Sequence, residues 1–270
     1  MGGRGSQSRI TMRRNPQALT PPAPQPQPPQ QPAPITQQVP DDTNTPVTPD
    51  ILASLSQMSD AQLAQAFIAS QKTALPNHLD DKSDITQKFV FHIGLNDKPM
   101  VLDDNAFKKF MADNNIPQAQ VLARGIGGGV LKTSAGGQRK LSPKDVSDMM
   151  MYSRLNYVGG KQGGQAYGAG TYFNMNGGKP TGYGGSGGML VKAVLNPSTA
   201  KIITDTALRS KAAAFDRTHP QFARATGGYK MSFFNNNMSV YALAMGYNVI
   251  KDSSSGYHNV IDRKALVYKK

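Results

Sequence analysis

Residues 168–173 have the sequence Gly-Ala-Gly-Thr-Tyr-Phe, in which a β-prone Thr-Tyr-Phe patch lies inside the most glycine-rich part of the chain. Residues 156–188 hold 13 of the 27 glycines, and the aromatic residues among them include Tyr172 and Tyr183. So many glycines exclude an ordinary packed helix, and they allow the backbone to approach a ligand closely. The segment therefore predicts a ligand-contacting loop and strand, with a plain flexible linker as the alternative.

The sequence around this segment predicts short strands alternating with a few helices. Apolar and β-branched runs predict strands over 120–126, 189–195, 200–204, 247–251 and 257–268. Helical spacing predicts helices over 205–215 and 238–245, and a further helix that begins at Ser142-Pro143-Lys144-Asp145. The second half of the chain is therefore expected to be rich in strands.

The region before this half has helical patterns. Leu63 and Phe67 share one face behind a Ser59 cap, and Phe107 and Met111 share another behind Asp103. His92 lies at helical spacing from Phe89, which favours a half-buried core histidine over a ligand or base. A helical front followed by a strand-rich half predicts an α+β fold.

The first 49 residues differ in composition from the rest of the chain. They are dominated by Pro, Gln, Ala and Thr, and they contain few large apolar residues. Such a segment buries too little apolar surface to offset the entropy of ordering, so we expect a disordered tail over 1–49. The rest divides into a helical N-terminal region over 50–117 and a second domain over 118–270.

The composition excludes several kinds of chemistry. All 17 acidic residues are Asp, because the chain contains no Glu, and it also contains no Cys. Mechanisms that need a glutamate or a thiol are excluded, and the four His lack the short spacing of a metal site, so we expect no metal. No apolar run reaches the roughly 18 residues of a membrane span, and no signal core is present. We therefore expect no membrane contact and a location in the cytoplasm of the producing cell.

The chain is strongly basic, with 30 Lys and Arg against 17 Asp and a net charge of +13. Such a charge is compatible with binding to nucleic acid through counterion release. The basic residues are dispersed, however, and no motif that reads a groove is visible. A basic nucleic-acid-associated protein is therefore an alternative function.

An ordered set of motifs resembles the ADP-ribosyltransferase superfamily over about residues 118–270. Its elements are Arg124-Gly125 at the end of a predicted strand, Gly168-Ala-Gly-Thr-Tyr-Phe173, Tyr183, and closing strands that contain Val260-Ile-Asp-Arg-Lys-Ala-Leu-Val267. The resemblance implies an ADP-ribosyltransferase-like split β-sheet core that binds NAD as its substrate.

The resemblance also implies a role for each matched residue. Arg124 and Gly125 are expected to anchor NAD, and Thr171 to bond a ribose. Tyr172 and Tyr183, eleven residues apart, are expected to stack the nicotinamide ring, which is cationic in NAD. For Arg124 a structural ion pair is the alternative, and for the two tyrosines it is core packing.

The sequence departs from the family at the catalytic carboxylate. The family's Glu stands at the start of the last conserved strand, and here Tyr257 occupies that position. Asp252 is the nearest acid, so Asp252 and Tyr257 are the candidate catalytic residues. A turn-forming Asp252 and a strand-face Tyr257 are the alternatives.

These residues predict a mono-ADP-ribosyltransferase that acts on a protein or nucleic acid of a host. The domain is similar to those in bacteriophage and mobile-element head-associated proteins, which implies virion proteins as partners and delivery in a virion to a bacterial host. The missing glutamate favours a different alternative, a catalytically silent domain of the same fold that serves as a virion or partner-binding component.

Overall fold

A computed structural model describes residues 50–73, 85–95, 97–132, 138–152, 170–175, 188–220, 234 and 237–270. These residues belong to a single compact unit. The predictions made for the tail over 1–49, for Gly168 and for Tyr183 lie outside the described residues.

The described helices begin at caps that are visible in the sequence. Ser59 and Gln62 form a capping box, the Asp103 carboxylate accepts a hydrogen bond of 2.8 Å from the Ala106 N–H, and Ser142 and Asp145 cap each other. Side chains at these positions satisfy backbone N–H groups that a helix leaves without a partner. The seven described helices are α1 Ile51–Ser56, α2 Asp60–Gln71, α3 Ile85–His92, α4 Asp104–Asp113, α5 Pro143–Tyr152, α6 Asp205–Thr218 and α7 Met238–Ala244.

The strands form one large mixed sheet and a separate hairpin. The ten described strands are β1 Met100–Leu102, β2 Leu122–Ile126, β3 Gly129–Lys132, β4 Gln138–Leu141, β5 Thr171–Met175, β6 Met189–Leu195, β7 Ile202–Thr204, β8 Val249–Lys251, β9 Tyr257–Val260 and β10 Leu266–Lys269. Eight of them are ordered β1-β10-β6-β2-β5-β9-β8-β7, while β3 pairs with β4. Helices together with a mixed sheet agree with the predicted α+β class.

Two of the sequence predictions are wrong. The strand predicted over 257–268 is two strands, because the Asp262 carboxylate accepts a hydrogen bond of 3.0 Å from the Lys264 N–H and caps a 3-10 helix, Arg263–Ala265. After this turn the chain crosses to the other half of the sheet, so that β5, β2 and β6 separate β9 from β10. His92 is exposed rather than half-buried, and its Nδ1 lies 3.2 Å from the Thr73 hydroxyl.

Buried apolar residues form three clusters on the two faces of the sheet. One face is covered by α5, with a cluster that includes Leu122, Met150 and Phe173. The opposite face carries two separate clusters. The helical group α1, α2, α3, α6 and α7 covers Ile250 and Ile261 near one end of the sheet, and α4 covers Val121, Val194 and Val267 near the other. In the described structure, the part of this face over β2 and β5 lies between these two clusters.

Candidate functional site

The sheet opens between β2 and β5. Their pairing consists of Leu122 with Met175 and Ala123 with Asn174, whereas β2 pairs with β6 along all five of its residues. In an antiparallel ladder, successive residues direct their N–H and C=O groups alternately to the two sides of the strand. At least one residue of Arg124–Ile126 therefore turns its backbone polar groups towards the side from which β5 has diverged.

Arg124 lies at this opening. It is half-buried, and one of its guanidinium nitrogens donates a hydrogen bond of 3.3 Å to the Tyr172 carbonyl oxygen of β5. Burial lowers the pKa of Arg124, but a guanidinium keeps its charge in proteins. No carboxylate among the described residues forms an ion pair with it. The other N–H donors of the guanidinium have no hydrogen-bond partner among the described residues.

Thr171 and Asn259 add two buried oxygen atoms without hydrogen-bond partners near the start of β5. The Thr171 hydroxyl oxygen and the Asn259 Oδ1 have no partner among the described residues, although both side chains are almost completely buried. The Asn259 Nδ2 donates a hydrogen bond of 2.9 Å to the Ser239 hydroxyl of α7, and this contact fixes the amide. Buried polar atoms are nearly always satisfied in native proteins, so these two oxygens are candidate contacts for a ligand.

Tyr172 and Gly125 face the side of the sheet that lies between α4 and the helical group. Tyr172 is half-buried and packs against the cluster under that group, and Asn259 is its partner on β9. Gly125 is buried, and its partner on β6 is Leu190, a large apolar residue that is 41% exposed. The aromatic ring of Tyr172 and the apolar side chain of Leu190 thus flank the backbone at Gly125, which carries no side chain.

Asp252 lies at the far side of β9 from this opening. Its Oδ1 accepts hydrogen bonds of 2.7–2.8 Å from the Ser254 N–H, the Ser254 hydroxyl and the Ser255 N–H, and its own N–H donates to the Tyr257 carbonyl oxygen. These contacts fit the turn-forming alternative of the sequence analysis. Tyr257 begins β9 opposite Asn174 and is 37% exposed, which fits a strand-face aromatic.

The structure places Arg124, Gly125, Thr171 and Tyr172 on the adjacent strands β2 and β5, and it leaves Asp252 apart from them. The side chains of Arg124 and Thr171 lie on the face under α5, where their register partners Val191 and Val260 pack, whereas Tyr172 and Gly125 face the opposite side of the sheet. Tyr183 lies outside the described residues. No sequence motif marks Asn259 as a site residue. The one local signal is an Asn at a strand position that is expected to be buried.

Two general expectations concern metals and membranes. The described residues contain no group of three or more His, Cys, Asp or Glu side chains that could hold a metal ion. Among the helices of the described part, none is long and apolar enough to span a membrane.

Comparison of the chain with protein-family models, with curated proteins and with solved structures found no match.

Proposed function

We propose that this chain is a protein with the ADP-ribosyltransferase fold, which binds NAD at the opening between β2 and β5 and transfers ADP-ribose to a macromolecule of a host. One observation carries the proposal. The matched residues Arg124, Gly125, Thr171, Tyr172 and Tyr257 lie on β2, β5 and β9, which are successive strands of the sheet, and the sheet opens beside the residues expected to bind NAD. The wider setting, a phage protein packaged in a virion, rests on the sequence resemblance alone.

The residues at the opening suit the parts of NAD. The Tyr172 ring can stack on the cationic nicotinamide ring, and the open backbone near Gly125 can pair with its amide group. The guanidinium of Arg124 can donate to ribose or phosphate oxygens. The Asn259 Oδ1, on the same face as Tyr172, can accept a hydrogen bond from a ribose hydroxyl, whereas the Thr171 hydroxyl lies on the α5 face with Arg124 and can reach a ligand only from that side.

The proposed reaction is a displacement at the ribose C1′ atom. The bond from C1′ to the nicotinamide nitrogen breaks, and its electron pair neutralises the positive ring. A nucleophile of the acceptor forms the new bond to C1′ and loses its proton. Because the departing ring leaves an oxocarbenium-like centre, preorganised polar groups that face it would lower the barrier.

A catalytically silent domain of the same fold is the second candidate function. The observation that favours it concerns Asp252, because its Oδ1 already accepts three hydrogen bonds within a turn. With no Glu in the chain, this leaves no acid of the sequence analysis free to stabilise the transition state. Such a domain would bind NAD, or a partner, without turnover.

The test is NAD binding, measured by saturation-transfer NMR and calorimetry on the full chain, followed by an assay of nicotinamide release. We expect Arg124→Ala to weaken NAD binding at least about tenfold, the scale of one lost charge-assisted contact. Arg139→Ala, at an exposed arginine of β4, is the matched control and should bind as the wild type does.

The outcomes separate the candidates. Binding with nicotinamide release supports the transferase, and binding without release supports the silent domain. A wild-type chain that fails to bind NAD at millimolar concentration would refute the transferase and the NAD-binding form of the silent domain. Nucleic-acid binding that weakens with salt, without NAD binding, would support the nucleic-acid alternative.

A further inference from the structure

A row of side chains crosses four neighbouring strands beside the opening. Lys192 of β6 is the register partner of Ala123 of β2, Ala123 is the partner of Asn174 of β5, and Asn174 is the partner of Tyr257 of β9. Direct partners in antiparallel strands point to the same face, with Cβ atoms about 4.5–5.5 Å apart. Lys192 and Asn174 therefore flank the small Ala123 on one face of the sheet, and Tyr257 follows Asn174 in the same row.

This face is the one that lies between α4 and the helical group. Lys192 shares its side of β6 with Val194, which packs under α4, and Asn174 shares its side of β5 with Tyr172, which packs under the helical group. Lys192 and Asn174 are half-buried and Tyr257 is 37% exposed, so solvent reaches all three. The row is thus accessible, in contrast to the clusters on either side of it.

Positive charge accumulates at the Lys192 end of the row. Lys192 is the register partner of Lys269 on β10, and like charges directly opposite each other are destabilising. Lys269 and Lys108 both bind the carboxylate of Asp104, and their hydrogen bonds lower the pKa of Asp104 to about 2. Two of these three ammonium groups, those of Lys269 and Lys108, bind the one carboxylate and that of Lys192 does not, so an anion at this end would relieve the excess charge.

The three polar side chains of the row have unused hydrogen-bonding capacity. Within the described part of the chain, the side chains of Lys192, Asn174 and Tyr257 form no hydrogen bond or ion pair. They offer an ammonium group, an amide N–H₂ and a phenol hydroxyl, and each of these groups can donate a hydrogen bond to a phosphate oxygen. This set of donors, with the positive charge beside it, selects an anion with several acceptor oxygens.

The distance to the opening indicates which anion. The row lies two residues along β2 and β5 from Gly125 and Tyr172, which is about 6.8 Å in an antiparallel strand. One ribose separates the nicotinamide of NAD from its first phosphate and spans a comparable distance.

We propose that Lys192, Asn174 and Tyr257 form a phosphate-binding subsite that takes the pyrophosphate of a dinucleotide whose nicotinamide lies at Gly125 and Tyr172. The identity of the dinucleotide rests on the proposed function. The anion site itself rests on the charge and the donors of the row.

The experiment measures binding of inorganic pyrophosphate, NAD and nicotinamide to the full chain by calorimetry. The wild type is compared with Lys192→Gln, Asn174→Ala and the matched control Lys211→Gln, which removes the charge of an exposed lysine on α6. Lys192→Gln should weaken both pyrophosphate and NAD about tenfold, the scale of one charge-assisted hydrogen bond, and leave nicotinamide unchanged. Asn174→Ala should weaken the same two ligands by a smaller factor.

The two proposals fail in different ways. If Lys192→Gln and Lys211→Gln lower pyrophosphate binding equally, or if neither lowers it, the phosphate subsite is refuted even when NAD binds. If the wild type binds pyrophosphate through Lys192 but does not bind NAD, the subsite stands as an anion site and the proposed function fails.

Discussion

Gly170 immediately precedes β5, and a single added methyl group there tests the geometry of the site. A Cβ atom at this position would lie 1.9 Å from Oδ1, 2.7 Å from Cγ and 3.0 Å from Nδ2 of Asn259. These distances are too short for non-bonded atoms, and the fully buried Asn259 cannot move out into solvent. Gly170→Ala must therefore displace the amide and break its hydrogen bond of 2.9 Å to the Ser239 hydroxyl.

The expected loss follows from two contributions. Overpacking of a buried site costs about 1–3 kcal/mol, and leaving a buried hydrogen-bonding group without its partner costs about 1–3 kcal/mol. Because the two overlap, we expect Gly170→Ala to lower the free energy of unfolding by about 3 kcal/mol. In a folded unit of this size that corresponds to a fall in Tm of roughly 6–12 °C.

The assay is urea unfolding followed by circular dichroism and tyrosine fluorescence, since the chain has no Trp. It is run as a double-mutant cycle with Asn259→Ala, which removes all three atoms that the added methyl group would meet. The backbone strain of an alanine at the Gly170 φ of 159° is common to both backgrounds and cancels in the cycle. We expect a coupling of about 2 kcal/mol. Additive losses would refute the contact between Gly170 and Asn259.

Three further predictions concern titration, the closing turn and an unsatisfied hydroxyl. Burial lowers the pKa of His258 below its ordinary value of 6.5. Just below pH 6.5 the unfolded chain therefore binds a proton at His258 and the folded chain does not. The free energy of unfolding should therefore fall as pH falls through 6.5. Urea unfolding at pH 8 and at pH 5.5 measures this difference in stability, which should be smaller in the His258→Asn variant than in the wild type. If Asp252 acts as a turn cap, Asp252→Ala should lower the free energy of unfolding by about 1–2 kcal/mol, and Asp252→Asn should lower it by clearly less. A fall of about 10²-fold in nicotinamide release by a stable Asp252→Asn would instead support its catalytic role. The Tyr268 hydroxyl is buried without a partner in the described structure, and burial raises its pKa to about 12. Tyr268→Phe should then raise the free energy of unfolding, measured by thermal unfolding, by about 1 kcal/mol. A lower free energy of unfolding in the variant would mean that the hydroxyl forms a stabilising hydrogen bond.

Local features of the fold could be predicted from the sequence. The caps of α2, α4 and α5 are side chains within three residues of the groups that they satisfy, so a short window contains both partners. The strand Met189–Leu195 was predicted with the observed bounds, because a bounded run of apolar residues is a local pattern. His92 was predicted wrongly, since helical spacing from Phe89 does not indicate which part of a helix face other elements cover.

The site depended on pairings that no local pattern contains. Arg124 and Tyr172 are 48 residues apart, and only the adjacency of β2 and β5 joins the guanidinium to the carbonyl group. The turn at Asp262 decides that β9 and β10 belong to opposite halves of the sheet, although the sequence there reads as one strand.

The sequence by itself therefore determined the residue types available for chemistry, above all the absence of glutamate, and the positions of most helices and strands. The tertiary structure decided that the sheet opens after Ala123, and that Asn259 and Lys192 lie beside that opening. The physical reason is that helix caps and side-chain periodicity are short-range interactions. Strand order and the burial of an unpaired polar atom instead depend on which distant segments pack together.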